Sequence, residues 1–243
     1  MAQIGYGYGS EYQLLRFLGH HRRKLEELIS EQIGKGSFEW EDFEFADPKN
    51  VISEDKEITG LDFLRRLYPT QYEKVEAEYK TYIKKRDWQN WDAVFTHNGT
   101  LYLVEAKAHI SELSSGKEEH GDSSKEQILD YFKAQLPNLP VSRVWLQEYY
   151  QLANRLATSA LLNKHGIKTK VLYIYFVNGY RKRVLEKKGR VEVPYETVNL
   201  NTSEDKFKTA IEVGMQALGI NHDDVSDLLA PPVFVNAEPK QNK

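Results

Sequence analysis

The dipeptide Asn98-Gly99 limits the possible folds of this chain more than any other part of the sequence. It lies between two segments rich in apolar residues, 88–95 and 101–106. Both central residues of a type I′ turn need a positive φ, and Asn and Gly adopt that conformation at low cost. We therefore predict two antiparallel strands joined by a two-residue turn.

The register of this hairpin follows from its turn. His97 pairs with Thr100, and counting outward from that pair places Asp92 directly opposite Glu105 in a non-hydrogen-bonded pair. The two β-carbons would be about 4.5–5.5 Å apart. Lys107 lies one pleat beyond Glu105 on the same face, because residues of a strand alternate between faces. The register thus predicts two carboxylates and an ammonium group close together.

Two carboxylates in directly opposed positions repel each other, so they are a poor choice for structure alone. A divalent cation between Asp92 and Glu105 would remove the repulsion, and hard oxygen ligands favour Mg²⁺ or Mn²⁺. Lys107 could then orient or help to deprotonate a metal-bound water, or neutralise charge that develops on phosphorus. The alternative is a solvent-facing hairpin whose acids pair with basic residues. Leu101 and Leu103 lie on the same predicted face, which argues against an open surface.

Apolar periodicity in the rest of the chain predicts an α/β protein with a mixed central sheet flanked by helices. Helices are expected at 10–33, 124–135, 144–165, 203–218 and 223–229, strands at 37–45 and 190–193, and a strand buried on both faces at 170–177. We interpret 46–87 as a partly helical insertion and 231–243 as a disordered tail. A single domain is therefore predicted over 1–230.

The composition excludes several classes of protein. The chain has 243 residues, 33 basic and 36 acidic side chains and no cysteine. Disulfides, iron–sulfur clusters, thiolate zinc sites and cysteine nucleophiles are thereby excluded. The net charge of −3 argues against a general nucleic-acid coating protein, although it allows an enzyme that contacts nucleic acid locally. Residues 1–12 lack the features of a signal peptide, and the longest apolar run, 171–177, is too short to span a bilayer. We expect a cytoplasmic protein with no membrane association.

The pattern formed by Asp92, Glu105 and Lys107 resembles the PD-(D/E)xK nuclease superfamily. In that superfamily an acidic residue at the end of one strand precedes an acid-x-lysine triplet on the next. Trp91 stands here in the place of the proline in the family name. The predicted order of helix, three strands, helix and strand is similar to the restriction-endonuclease-like αβββαβ core. The resemblance covers about 10–178, apart from the insertion.

The resemblance implies hydrolysis of a phosphodiester bond, usually in DNA, with Mg²⁺ or Mn²⁺ as cofactor. It implies that Asp92 and Glu105 bind the metal, that the Ala106 carbonyl adds a ligand, and that Lys107 assists the attacking water. Two alternatives stay open at this point. One is a noncatalytic module that uses the same fold to bind nucleic acid or protein, and the other is a metal-dependent hydrolase of small phosphate esters.

Families of this kind often add a carboxylate from the first helix and a polar residue from the helix after the lysine strand. On the first predicted helix Glu26 lies at one margin of the apolar face and Glu31 at the other. We select Glu26 as a further catalytic residue, with Glu31 second. Gln147, Gln151 and Arg155 share one face of the later helix, and we select Gln151. The alternative in each case is a solvated residue on a helix surface.

Three basic clusters stand out in this acidic chain, at 20–24, 84–86 and 181–190. They form either solvated faces or phosphate contacts around the acidic site. Contacts of the second kind would give an affinity that is sensitive to salt.

Overall fold

The computed structural model describes residues 9–41, 58–83, 89–114, 122–178, 180–184, 195–199 and 202–237. Within these residues the protein is a mixed α/β structure, as predicted, with a five-stranded mixed sheet, two two-stranded sheets and seven α-helices. No helix in the described part of the chain is both long enough and apolar enough to cross a membrane.

The described strands are β1 Phe38–Trp40, β2 Ile58–Thr59, β3 Asn90–Trp91, β4 Ala93–His97, β5 Thr100–Lys107, β6 Thr169–Val177, β7 Tyr180–Val184, β8 Tyr195–Asn199 and β9 Val233–Asn236. Five of them form the central sheet in the order β1-β4-β5-β6-β9. Its first three strands are antiparallel neighbours, whereas β5, β6 and β9 run parallel. In the two small sheets β2 pairs with β3 and β7 with β8.

The described α-helices are α1 Ser10–His20, α2 Arg22–Ile33, α3 Leu64–Leu67, α4 Pro69–Tyr82, α5 Asp122–Gln135, α6 Tyr150–Lys164 and α7 Glu204–Leu218. The helix predicted at 203–218 is confirmed. The single helix predicted at 10–33 is wrong, because the backbone at His21 (φ −135°, ψ 26°) is not helical. This break lets α1 pack against β5 and β6 while α2 packs against β9.

The hairpin at Asn98-Gly99 forms as predicted. Asn98 has φ 49° and Gly99 has φ 72°, which is the backbone that a two-residue hairpin turn requires. All residues of β4 pair with β5 in the predicted register.

The central sheet carries an apolar layer on each face. Leu101 and Leu103 of β5 face the core that includes residues of α4, α5 and α6, whereas Val104 faces α1 and α2. We name these the α6 face and the α1 face. Glu105 and Lys107 follow Leu101 and Leu103 at two-residue steps, so strand alternation places them on the α6 face.

The helix predicted at 144–165 begins later than expected. Arg143–Leu146 form a 3₁₀ turn, and α6 begins only after it. The Trp145 indole N–H donates a hydrogen bond to the Leu218 carbonyl at the end of α7 (3.1 Å). This tertiary contact holds the segment outside the helix, so Gln147 does not share a helical face with Gln151.

The prediction of a disordered tail over 231–243 is wrong for its first part. Val233–Asn236 form β9, which pairs in parallel with the end of β6. The valines of β9 are buried together with Phe176 in the core of the α1 face. Tertiary packing thus orders a segment that is too short to predict from its own sequence. Residues 238–243 lie outside the described residues.

Other predicted elements are only partly described. Within the insertion, α3 and α4 pack into the core of the α6 face. The helix predicted at 223–229 contains only a 3₁₀ turn, Asp223–Val225. Residues 42–57, 84–88 and 185–194, which include the strand predicted at 190–193, lie outside the described residues.

Candidate functional site

Asp92 lies at the break between β3 and β4. Its N–H donates to the Val104 carbonyl (3.1 Å), although Val104 is the ladder partner of Ala93. Two consecutive residues therefore oppose one, which is the arrangement of a β-bulge. The prediction that Asp92 lies directly opposite Glu105 is wrong, because the bulge ends the regular pairing before Asp92.

The bulge also changes the faces that neighbouring side chains meet. Trp91 and Val94 both pack into the core of the α6 face, whereas residues three apart in a regular strand face opposite sides. The Asp92 carboxylate turns toward β5, where its Oδ2 accepts the Ala106 N–H (2.6 Å). Asp92 is thereby held beside the strand that carries Glu105. The contact is the hydrogen bond from the Ala106 N–H, and not the predicted direct pairing with Glu105.

Glu105 is the centre of a buried polar cluster. The residue is only 3% exposed, and its Oε1 accepts hydrogen bonds from Lys107 Nζ (2.6 Å) and Gln151 Nε2 (2.8 Å). Its Oε2 accepts from Arg155 Nε (2.9 Å). The structure therefore brings together Glu105, Lys107 and Gln151, all three of which were selected from the sequence.

Arg155 completes this cluster from the second turn of α6. Its Nη2 lies 2.8 Å from Glu105 Oε2 and donates to the Asn90 carbonyl at 3.0 Å. Its guanidinium carbon stands 4.5 Å from the centre of the Trp91 ring, within the range of a cation–π contact. Sequence reasoning did not select Arg155, although its spacing of four residues from Gln151 was a usable signal.

The charges and burial of the cluster determine the protonation states of Glu105 and Tyr173. Burial alone would raise the pKa of Glu105, but the charges of Arg155 and Lys107 and their hydrogen bonds outweigh burial and lower it. The pKa of Tyr173 is raised, first by burial and then by the charge of Glu105, with a smaller contribution from Asp92. Glu105 is therefore ionised and Tyr173 neutral at neutral pH.

A cavity of about 40 Å³ lies beside the cluster, and its lining includes Lys107, Gln151 and Tyr173. A buried water needs about 10–15 Å³ of such volume, so the cavity has room for about three waters. Met215 of α7 contributes to its apolar lining. The cluster therefore combines fixed charges with space for water, although Lys107 itself is only 7% exposed.

The oxygen donors near Asp92 are of the chemical type that binds hard divalent cations. The N–H and C=O of one strand residue point to the same side, so the Ala106 carbonyl faces the side on which Asp92 accepts the Ala106 N–H. Two carboxylates and a carbonyl are ligands that Mg²⁺ and Mn²⁺ prefer. Among the described residues, no group of three or more His, Asp or Glu side chains is arranged to hold a metal ion. The candidate ligands are therefore Asp92, Glu105 and the Ala106 carbonyl.

Glu26 is not brought to this cluster. Its carboxylate accepts the Trp40 indole N–H (2.9 Å), and Trp40 packs against the core of the α1 face. Glu31, the second choice, is an exposed residue of the same helix. A helical wheel shows which residues border the apolar face of a helix, but it does not show on which face of the sheet the helix packs. Glu26 was selected from the wheel alone, and α2 packs on the α1 face, away from the cluster.

Comparison of the chain with protein-family models, with curated proteins and with solved structures finds no match in any of the three. The chemistry of the cluster therefore has to follow from its residue types, distances and charges. Those are an ionised buried carboxylate, a second carboxylate at the bulge between β3 and β4, two cations, an amide and a cavity large enough for water.

Proposed function

We propose that the protein is a metal-dependent nuclease that hydrolyses phosphodiester bonds, with DNA as the favoured substrate. The observation that supports this most is the cluster of Glu105, Lys107 and Gln151 beside Asp92. Hydrolysis of a phosphodiester needs a held water, a neutralised phosphate and a proton for the leaving oxygen, which water in the cavity would supply. The cluster offers carboxylates for a cation, a lysine for the phosphate or the water, and a cavity for water.

The order of elements supports the same proposal. The helices α1 and α2 precede the antiparallel strands β1, β4 and β5, and α6 then leads to β6, which is parallel to β5. This succession is similar to the αβββαβ core of the PD-(D/E)xK superfamily. We assign the chain to that fold as part of the proposal, with Asp92, Glu105 and Lys107 in the positions of the superfamily motif.

In the proposed reaction each side chain has a distinct role. Asp92, Glu105 and the Ala106 carbonyl would hold Mg²⁺ or Mn²⁺, which when bound would activate water and stabilise charge on the phosphate. Gln151 holds Oε1 of Glu105 in place. Lys107 also contacts Oε1, so a cation at that oxygen competes with the Lys107 ammonium. A displaced Lys107 would be available to the substrate phosphate or to the attacking water.

The basic sequence of β7, in the β7–β8 hairpin, favours nucleic acid over a small phosphate ester as the substrate. β5 and β6 are parallel and Lys107 pairs with Tyr175, so the chain leaves β6 toward β7 at the same end of the sheet as Lys107. β7 contains Arg181, Lys182 and Arg183 in succession. A run of basic residues that follows a strand of the site along the chain is a candidate source of phosphate contacts along a polymer.

One observation favours a noncatalytic module instead. Both oxygens of Glu105 already accept hydrogen bonds from cationic side chains, Lys107 at Oε1 and Arg155 at Oε2. Such a cluster is electrostatically satisfied without a metal, and the same hairpin could bind nucleic acid without cleaving it. This second candidate predicts nucleic-acid binding that is equal in Mg²⁺ and in a chelator, with no cleavage.

The test is cleavage of single-stranded DNA, duplex DNA and RNA in Mg²⁺, Mn²⁺ or EDTA. We expect cleavage that needs the metal and that falls about 100-fold or more in Asp92→Asn and in Lys107→Met, because each removes a group that acts in the transition state. Glu78→Gln is the control, since Glu78 contacts Gln135 and Lys164 away from the cluster. Wild-type rates in both site variants would contradict the proposal. If the protein hydrolyses only small phosphate esters, its substrate is a small phosphate ester and not a nucleic acid.

A further inference from the structure

We infer that Arg155 is a positioning residue that sets the separation of the two candidate metal ligands, Asp92 and Glu105. The inference rests on the proposed function, because it concerns ligands of the proposed metal. Arg155 is 6% exposed and contacts groups on two different strands, one of which leads directly into the bulge that carries Asp92.

The guanidinium group bridges β5 and β3. On the β5 side, Nε and Nη2 lie 2.9 Å and 2.8 Å from the same oxygen, Glu105 Oε2. On the β3 side, Nη2 donates to the Asn90 carbonyl at 3.0 Å. Asn90 stands two residues before Asp92, so the bridge connects the first ligand strand to the second through one rigid, planar group.

The bridge matters because it acts on the backbone that leads into Asp92. β3 has only two residues and pairs with the two-residue strand β2, whereas β4 pairs along its length with β5 and through its last three residues with β1. Regular pairing with β5 ends at the bulge. The Arg155 contact with the Asn90 carbonyl adds a contact from α6 at the point from which the chain enters the bulge.

Charge alone does not explain an arginine at this position. Lys107 already supplies one positive charge to Glu105, and a lysine at 155 would supply the same second charge as arginine. Only a guanidinium can donate to two acceptors in a fixed plane and also stack on the Trp91 ring. Buried ion pairs contribute little net stability when compared with apolar replacements. The site therefore uses the planar, forked geometry of the Arg155 guanidinium and not only its charge.

The decisive variant is Arg155→Lys, which keeps the charge and removes the fork. The measurement is Mn²⁺ binding by electron paramagnetic resonance and calorimetry on the full chain, without substrate. We expect Mn²⁺ affinity to fall about 10- to 100-fold, the range found when a residue that orients a metal ligand is changed. The control is Gln135→Leu, which removes the buried Gln135 contact with Glu78 and disturbs packing elsewhere. Its Mn²⁺ affinity should equal that of the wild type at a comparable loss of thermal stability.

A second variant covers the case in which Arg155→Lys does not fold. Trp91→Phe keeps an aromatic ring but reduces the surface on which Arg155 stacks, and a smaller loss of Mn²⁺ affinity is expected. Wild-type affinity in the folded Lys variant, or in Trp91→Phe where only that variant folds, overturns the inference and leaves the proposed function standing. If the wild-type protein binds no Mn²⁺, the proposed function fails, and the inference fails with it.

Discussion

The two faces of β5 differ sharply although they belong to one strand. On the α1 face, Tyr102, Val104 and Ala106 are buried in the core of that face, and the strand carries no charged residue there. On the α6 face the strand begins with Leu101 and Leu103 but ends with two charged residues. A strand needs only apolar side chains to pack between two layers, so the charges at one end of one face are not required by the fold. Their position, beside a cavity and a second carboxylate, is typical of a functional site.

The largest expected difference between the α6 face and the α1 face is in the free energy of unfolding that is lost when a carboxylate is replaced. Glu105→Gln leaves Arg155 and Lys107 buried without their carboxylate, and we expect the free energy of unfolding to fall by about 3–5 kcal/mol. Glu26→Gln is the matched variant on the α1 face, where the carboxylate accepts one indole hydrogen bond. Its expected loss is about 1 kcal/mol or less. Urea unfolding at pH 7 measures both, and equal losses would mean that the two carboxylates are held in equivalent ways.

A smaller effect is expected in the salt dependence of DNA binding, measured in EDTA to prevent cleavage. Replacing Arg181, Lys182 and Arg183 by Gln should reduce the slope of log affinity against log salt by about 0.9 for each lost phosphate contact with duplex DNA. Replacing Arg22, Arg23 and Lys24 by Gln removes the same charge from α2, whose apolar residues pack on the α1 face. That control should keep the wild-type slope. Equal changes in both triple variants would show that binding depends on net charge and not on the hairpin.

The smallest effect is a pH dependence of stability. The pKa of Glu105 is lowered in the folded protein, because Arg155 and Lys107 outweigh its burial. The stabilisation from its ionised form is therefore complete above the ordinary glutamate pKa of about 4.3 and is lost as pH falls through the lower, folded-state value. The difference in unfolding free energy between wild type and Glu105→Gln should be constant near neutral pH and should narrow in acid. A difference that widens in acid would contradict the direction of the pKa shift.

Local signals predicted the centre of the fold well. The turn at Asn98-Gly99 depends on the backbone preferences of two adjacent residues, and the register of β4 on β5 follows from the turn. Glu105 and Lys107 share a face because alternation in a strand is a local property. Their separation along the sequence was therefore enough to place both side chains together.

The remaining features depend on contacts between distant segments. The bulge at Asp92 accompanies the pairing of β3 with β2, whose partners are more than thirty residues apart in sequence. β9 becomes a strand only through its pairing with β6. Arg155 belongs to a helix with several polar residues. Its spacing from Gln151 places the two residues on one face, but it does not distinguish a buried guanidinium from a solvated one. These contacts are therefore not visible in any single stretch of sequence.

The hydrogen bonds from α6 to Glu105 have a consequence for the motions of the protein. Gln151 and Arg155 lie on successive turns of α6, and they donate hydrogen bonds to the two oxygens of the Glu105 carboxylate. Any fluctuation that lifts the start of α6 from the sheet must break both contacts together and expose buried charge. The amide hydrogens of the first turns of α6 and of the end of β5 should therefore exchange with solvent as a single cooperative unit. Helix and strand would open together or not at all.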